Sequence, residues 1–295
     1  MSDRDIVAKI LSFAPDATFQ FDGDVCTYAK LNNKNNIFYG SIRTKKNKPE
    51  IIHLISKLKS LQYLDLRKNR LNEIPDLGLQ KLVHLDLASN YLKIVPNWIR
   101  KNNLTFLNLG VNNLEIIPEW ISEFDELTVL KLHKNKLTDI SPIQTCKKVK
   151  FLNLYLNKMK EIPEFIWKFN DVEFFSWGLS EIIELPSSIV NWKNLNWLSL
   201  VANKIEFLPD EICKLNKIRG IRLNKNKIHK LPDDIGILKN LEELSLYRNC
   251  LKKLPDSFCQ LKLKKLNLCY NLFDKKPNCD AQWYCFDKKQ LIWQS

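Results

Sequence analysis

Glycine is scarce in this chain, with 7 residues against 12 prolines among 295. Average usage of about 7% Gly and about 5% Pro would reverse that order. The scarcity argues against folds and enzymes organised around glycine-rich loops. Histidine is also rare, at 4 residues, and the 8 cysteines include no CxxC pair. That removes the commonest zinc and dithiol signatures. Nowhere do about 18 apolar residues run without a charge, so a membrane span is not expected. The first twelve residues carry Asp3, Arg4, Asp5 and Lys9, with no apolar run of secretory length behind them. A standard signal peptide is therefore not expected, and the chain reads as cytoplasmic, with reduced thiols.

What is present is ordinary in bulk and unusual in order. A hydrophobic share of 45% and a charged share of 27% fit a folded protein with a substantial core. From Leu61 onward one pattern recurs: apolar, two residues, apolar, one residue, apolar, two residues, asparagine. Its copies start at Leu61, Leu82, Leu104, Leu127, Val149, Val172, Leu195, Ile218, Leu241 and Leu263, in steps of 21 to 23 residues. The asparagine column holds Asn69, Asn90, Asn112, Asn135, Asn157, Asn203, Asn226, Asn249 and Asn271, with Ser180 the single exception. A proline follows six residues after nearly every one, as at Pro75, Pro96, Pro118, Pro163, Pro186, Pro209, Pro232, Pro255 and Pro277. The proline excess is periodic.

Each element has a physical reason. Apolar residues at alternate positions make a short strand with one face in a core. An asparagine amide satisfies backbone groups in the buried turn that follows. Proline fixes φ and donates nothing to a ladder, which suits the irregular far side of a coil. Pairs three apart, such as Ile189/Trp192, Ile212/Leu215 and Ile235/Leu238, indicate a helical turn closing each coil.

The sequence LxxLxLxxNxLxxLPxxIxxLxx resembles the leucine-rich-repeat family, in the 23-residue form of Ras-suppressor-like and scribble-like scaffolds and of bacterial repeat proteins. The resemblance implies an α/β fold: a right-handed solenoid with a concave parallel β-sheet and capped ends. It implies no single function. The expected organisation is an N-terminal cap over 1–60, ten repeats over 61–278 and a C-terminal cap over 279–295. In the first segment, Ile6, Val7, Ile10 and Leu11 have helical spacing. Thr18–Phe21 and Val25–Tyr28 flank an Asp22-Gly23 turn. Ile37, Gly40 and Ile42 form a degenerate first strand, and a helix is expected from Pro49 to Leu58.

Within each repeat the second, third, fifth, seventh and eighth positions should face out from the sheet. Phe106, Val111, Phe151, Tyr155, Leu156, Phe174, Leu179, Trp197 and Val201 occupy such positions. Large apolar groups on successive strands make a binding patch, with Phe106, Phe151, Tyr155, Phe174 and Trp197 as anchors. The competing reading is a stabilising side-chain ladder. The repeat at Val172 diverges, with Phe175 and Trp177 for leucines, Gly178, and Ser180 for asparagine; it reads equally as a strand altered to open a recess for a partner's side chain and as tolerated drift.

Charge is uneven. The net charge is +13, and residues 214–295 supply most of it, with 18 Lys and Arg against 8 Asp and Glu. Lys131, His133 and Lys134 form one basic cluster. Arg222, Lys225 and Arg248, with Arg219, Lys264 and Lys265 beside Glu242 and Glu243, form another. These cations would steer an acidic partner. Asp65 and Asp86, on adjacent strands, are the single carboxylate pair of interest, and no nucleophile or histidine pair accompanies them. A zinc site from Cys269, Cys279 and Cys285 lacks ligand spacing. The expectation is a monomeric, non-enzymatic signalling scaffold without cofactor or metal, binding a protein or peptide on the concave face. The alternative is a polyanion, nucleic acid or a phosphate-bearing ligand, held by the basic C-terminal half. Nucleic acid is the less favoured partner, because recognition of base and phosphate leans on arginine forks.

Overall fold

The computed structural model describes residues 1–31 and 42–273, which fall into two compact units, Met1–Val149 and Lys150–Ser295. The expected strand through Ile37 and Gly40 and the cap over 279–295, with Cys279 and Cys285, lie outside the described residues.

In the first unit, α1 (Asp3–Phe13) starts with a reciprocal cap: the Asp5 amide donates to Ser2 Oγ at 3.2 Å and the Ser2 amide to Asp5 Oδ2 at 2.9 Å. Ile6, Val7 and Ile10 are its buried face. Strands β1 (Thr18–Asp22) and β2 (Val25–Lys30) form an antiparallel hairpin in which Asp22 opposes Val25. The two central turn residues are therefore Gly23 and Asp24, one place later than the sequence pattern places them. Gly23 takes the positive φ, +59°, that the turn needs. Helix α2 runs Ile42–Ile55 with Pro49 inside it, so it starts well before the expected Pro49. Helix formers such as Lys45, Lys46 and Lys48 carry the backbone up to the proline.

Strand β2 continues in parallel into β3 (Tyr63–Asp65), β4 (His84–Asp86), β5 (Phe106–Asn108) and β6 (Val129–Lys131). The second unit repeats the arrangement with β7 (Phe151–Asn153), β8 (Phe174–Ser176), β9 (Trp197–Ser199), β10 (Gly220–Arg222), β11 (Glu243–Ser245) and β12 (Lys265–Asn267). Every pairing is in one register, so that Phe175, Leu198, Ile221, Leu244 and Leu266 stack as a single buried column. Each unit is thus the α/β coil stack that the repeat pattern predicts. Prolines Pro96, Pro118, Pro163, Pro186, Pro209 and Pro255 sit immediately before short 3₁₀ helices that close the coils.

Five of the three-residue strands end in the same way. At the fifth position Asp65, Asp86, Asn108, Asn153 and Asn267 each accept the amide hydrogen of the residue two places on, at 3.0–3.2 Å. This side-chain turn ends the extended run. The eighth residue then enters the left-handed region in all ten repeats: Lys68, Ser89, Val111, Lys134, Leu156, Leu179, Ala202, Lys225, Arg248 and Tyr270 have φ between 54° and 60°. None is glycine, and each costs about 1 kcal/mol of backbone strain.

The asparagine at the ninth position offsets that cost. Asn226 Nδ2 donates to Leu200 O and Leu223 O, both at 2.9 Å, and its Oδ1 accepts from the Ile205 amide at 3.1 Å. Asn90, Asn112, Asn135, Asn249 and Asn271 make the same reach into the preceding coil. The pattern changes where Ser180 replaces asparagine. There Trp177 Nε1 donates to Ser180 Oγ at 3.0 Å, and Ser180 Oγ donates to Met159 O at 2.8 Å. In the next coil the buried Asn203 Oδ1 has no partner. We expect Asn226→Ala to cost about 3 kcal/mol in urea unfolding, because three backbone groups lose a buried partner. Asn203→Ala should cost about 1 kcal/mol.

Candidate binding surface

The third-position side chains project from the sheet and stack on one another. In the first unit Tyr28, Tyr63, His84 and Phe106 form a continuous pile with ring centroids 4.3, 4.0 and 3.7 Å apart. Lys131 Nζ lies 5.1 Å from the centroid of the Phe106 ring. Burial holds the His84 imidazole down at about 4, so it is neutral at ordinary pH. His133 stands in the neighbouring column against Gly110, where a β-carbon would come within 2.2 Å of its ring. Among the described residues no group of three metal-binding side chains occurs.

In the second unit Phe151 and Phe174 stack at 3.9 Å, with 4° between their planes. The ladder reading therefore applies to both rings, although each remains half-exposed. Trp197 leans the other way, over Gly220, where a β-carbon would meet its six-membered ring at 2.2 Å. The Arg222 guanidinium covers Trp197 at 4.8 Å and bonds Glu243 at 2.7 Å. Tyr155 fills the space beside Gly178, and Val201 O closes it from the next coil. The space that a recess would need at the divergent repeat is accordingly occupied by the chain itself. Beneath it, Phe175 and Trp177 are fully buried, with Trp167 and Trp192 stacked 4.7 Å apart beside Phe175. The leucine replacements make an aromatic core.

The cations divide by partner. Arg219 and Lys264 both pair with Glu242, at 2.6 and 2.9 Å, and Arg222 and Lys265 both approach Glu243, at 2.7 and 3.7 Å. Lys134 and Lys225 are exposed. Arg248 lies over the rings of Tyr247 and Tyr270, 5.3 Å from each centroid.

Asp65 and Asp86 are adjacent, as their register predicts, and both are buried. Arg67, which the sequence reading passed over, spans them. Its Nε and Nη2 reach Asp65 at 3.1 and 2.8 Å, and its Nε lies 3.3 Å from Asp86 Oδ2. Asn108 also donates to Asp86 Oδ2 at 3.0 Å. Every carboxylate oxygen is thus engaged, and the pair ties two neighbouring coils together. The signal that would have found Arg67 was its place two residues beyond the fifth-position aspartate.

Two of the thiols differ from expectation. Cys26, Cys146, Cys213 and Cys250 are free, whereas Cys259 and Cys269 are disulfide-bonded. Among the described residues no helix is long and apolar enough to cross a membrane.

Comparison with known proteins follows the same lines. Leucine-rich-repeat sequence models match residues 60–82, 103–124 and 219–273. A solved leucine-rich-repeat protein of Leptospira interrogans is 33% identical, with a TM-score of 0.66 over 74% of this chain and 63% of its own. Over the matched segments this chain is built of leucine-rich repeats. The ectodomain of an Arabidopsis thaliana membrane receptor kinase, solved in complex with Casparian strip integrity factor 2, is 29% identical. Its TM-score is 0.66 over 75% of this chain and 28% of its own. An internalin of Listeria monocytogenes, 21% identical, shares the fold, with a TM-score of 0.68 over 92% of this chain and 77% of its own. This leucine-rich-repeat chain therefore spans less than two thirds of the Leptospira structure and under a third of the plant ectodomain. A search of curated protein sequences finds no match. Leucine-rich repeats are a general scaffold for protein interaction.

Arg67 provides a test of the carboxylate reading. Burial raises the Asp86 carboxyl above its ordinary value, so its ionised form is the costly one. Arg67→Met should destabilise by roughly 2–3 kcal/mol at pH 7, since it strands two buried carboxylates. The deficit should shrink as pH falls through the raised value and protonation removes the charge. Chemical denaturation between pH 7 and pH 4 measures it.

Proposed function

We propose that the chain is a non-enzymatic binding protein that presents the sheet face of its second unit to an acidic, aromatic-bearing segment of another protein. The observation that carries this reading is the adjacency of half-exposed rings and cations on one row of strands. Phe151, Tyr155, Phe174 and Trp197 project from β7 to β9 and the turns after them, and Arg222, Lys225 and Arg248 follow on the next two coils. Large rigid rings anchor an interface at low entropic cost, and the cations give it a preferred sign. Stacking of Phe151 on Phe174 does not remove either from contact; it pre-organises a flat apolar platform. In the first unit, Phe106, Lys131, His133 and Lys134 offer a smaller surface of the same kind.

Two related folds lend support at the level of analogy, the plant ectodomain solved with Casparian strip integrity factor 2 and the Drosophila Toll–Spatzle complex. As to compartment, disulfides at Cys259 and Cys269 favour an oxidising environment over the cytoplasm.

A phage-displayed peptide library selected on the protein tests the proposal. Recovered peptides should be enriched in Asp and Glu around an aromatic residue. They should bind a Phe174→Ala/Trp197→Ala variant at least about tenfold more weakly, as loss of an anchor residue requires. Peptides without that bias, or undiminished binding by the variant, would count against it.

A further inference from the structure

The amino-terminal edge of the strands in the second unit carries a second feature. A shallow groove of about 420 Å³ runs beside β9 to β12, lined by Lys217, Arg219, Lys239, Lys262 and Lys264 around a single carboxylate, Glu242. Arg219 and Lys264 share that carboxylate. Among the described residues the other cations find no acid. Lys217 Nζ holds the amide oxygen of Asn194 at 2.7 Å, and Lys239 Nζ holds that of Gln260 at 3.2 Å. Lys262 is exposed and makes no ion pair among the described residues. Five positive charges therefore face one negative charge.

The repeat gives this surplus a direction. Lys217, Lys239 and Lys262 come one per coil, 22 and 23 residues apart; by strand register Lys217 and Lys262 share a column with Asn240, and Lys239 stands one place before it, on strands about 4.8 Å apart. A staggered line of cations, one on each successive coil, fits an extended chain of anions better than a compact one. Aromatic side chains are missing from the lining, so bases would find nothing to stack on. Lysines predominate over the arginine forks that favour phosphate recognition. Asn196 and Asn240 add neutral hydrogen-bonding groups suited to hydroxyls. The disulfide-bonded Cys259 and Cys269 lie within a few residues of Lys262 and Lys264 and favour an oxidising compartment, where nucleic acid is not the prevailing polyanion.

We propose that this groove is a binding site for an acidic polysaccharide, with Lys217, Lys239 and Lys262 as the row that engages its sulfate or carboxylate groups. The site is separate from the aromatic platform, so either can fail without the other. Heparin is the probe. The wild-type chain should be retained on immobilised heparin at about 0.15 M salt, and its affinity should fall steeply as salt rises. A Lys217→Gln/Lys239→Gln/Lys262→Gln variant should bind at least about tenfold more weakly, with a shallower salt dependence and an unchanged thermal midpoint, because all three side chains are exposed. The corresponding triple Lys→Arg variant should bind as wild type does, and Lys225→Gln/Arg248→Gln on the sheet face should leave heparin affinity intact. Undiminished binding by the triple Gln variant, no retention of the wild type, or tighter binding of single-stranded DNA than of heparin would each overturn the proposal.

Discussion

A coil of this protein is held to the next by the asparagine at its ninth position. The chain makes a tight turn after only three strand residues, and that turn puts a non-glycine residue at positive φ in every repeat. Backbone groups inside the turn are out of reach of water, and an amide that both donates and accepts can serve two coils at once. Asn226 does this with three bonds, bridging Ile205, Leu200 and Leu223. The strain at Val111 or Lys225 persists because this network overdetermines the backbone around it.

Once the turns are fixed, the register of every strand is fixed, and side chains of one position must pile up in a column. The columns then settle their own chemistry. Rings at the third position stack, and where a ring is large or tilted a neighbouring glycine makes room: Gly110 for His133, Gly178 for Tyr155 and Gly220 for Trp197. Glycine, scarce in the sequence, is thus spent partly on seats for rings. Carboxylates at the fifth position cannot avoid each other, and Arg67 neutralises the pair they form. The same stacking brings cations of successive coils into rows, some quenched by Glu242 and Glu243 and some not.

The repeat was legible in the sequence because it is enforced by backbone constraints that only a few residue types meet. Asn, Pro and the alternating leucines announce their positions, and the strands fall where they predict. The side-chain outcomes were less legible, since they depend on distances between coils that a linear pattern does not contain. Nothing in the order of residues says that Trp197 tips toward Gly220 while Phe151 lies flat on Phe174, or that the space beside Gly178 is taken by Tyr155. Arg67 was overlooked because a lone arginine near two aspartates looks like ordinary surface charge until burial is known. Two thiols were misread for a similar reason: the spacing of Cys259 and Cys269 carries no CxxC signature, yet both are disulfide-bonded.

If the asparagine ladder is what holds the coils, amide hydrogen exchange should report it residue by residue. Ile205, Ile228 and Leu251 each donate to an asparagine Oδ1 of the following coil, at 3.0–3.1 Å. Their counterpart in the divergent repeat is Ile182, and the oxygen that would receive it, Asn203 Oδ1, has no partner. The account predicts exchange at Ile205 and Ile228 about a hundredfold slower or more than at Ile182, a difference of roughly 2.7 kcal/mol in opening free energy. Equal protection at all of these amides would contradict it.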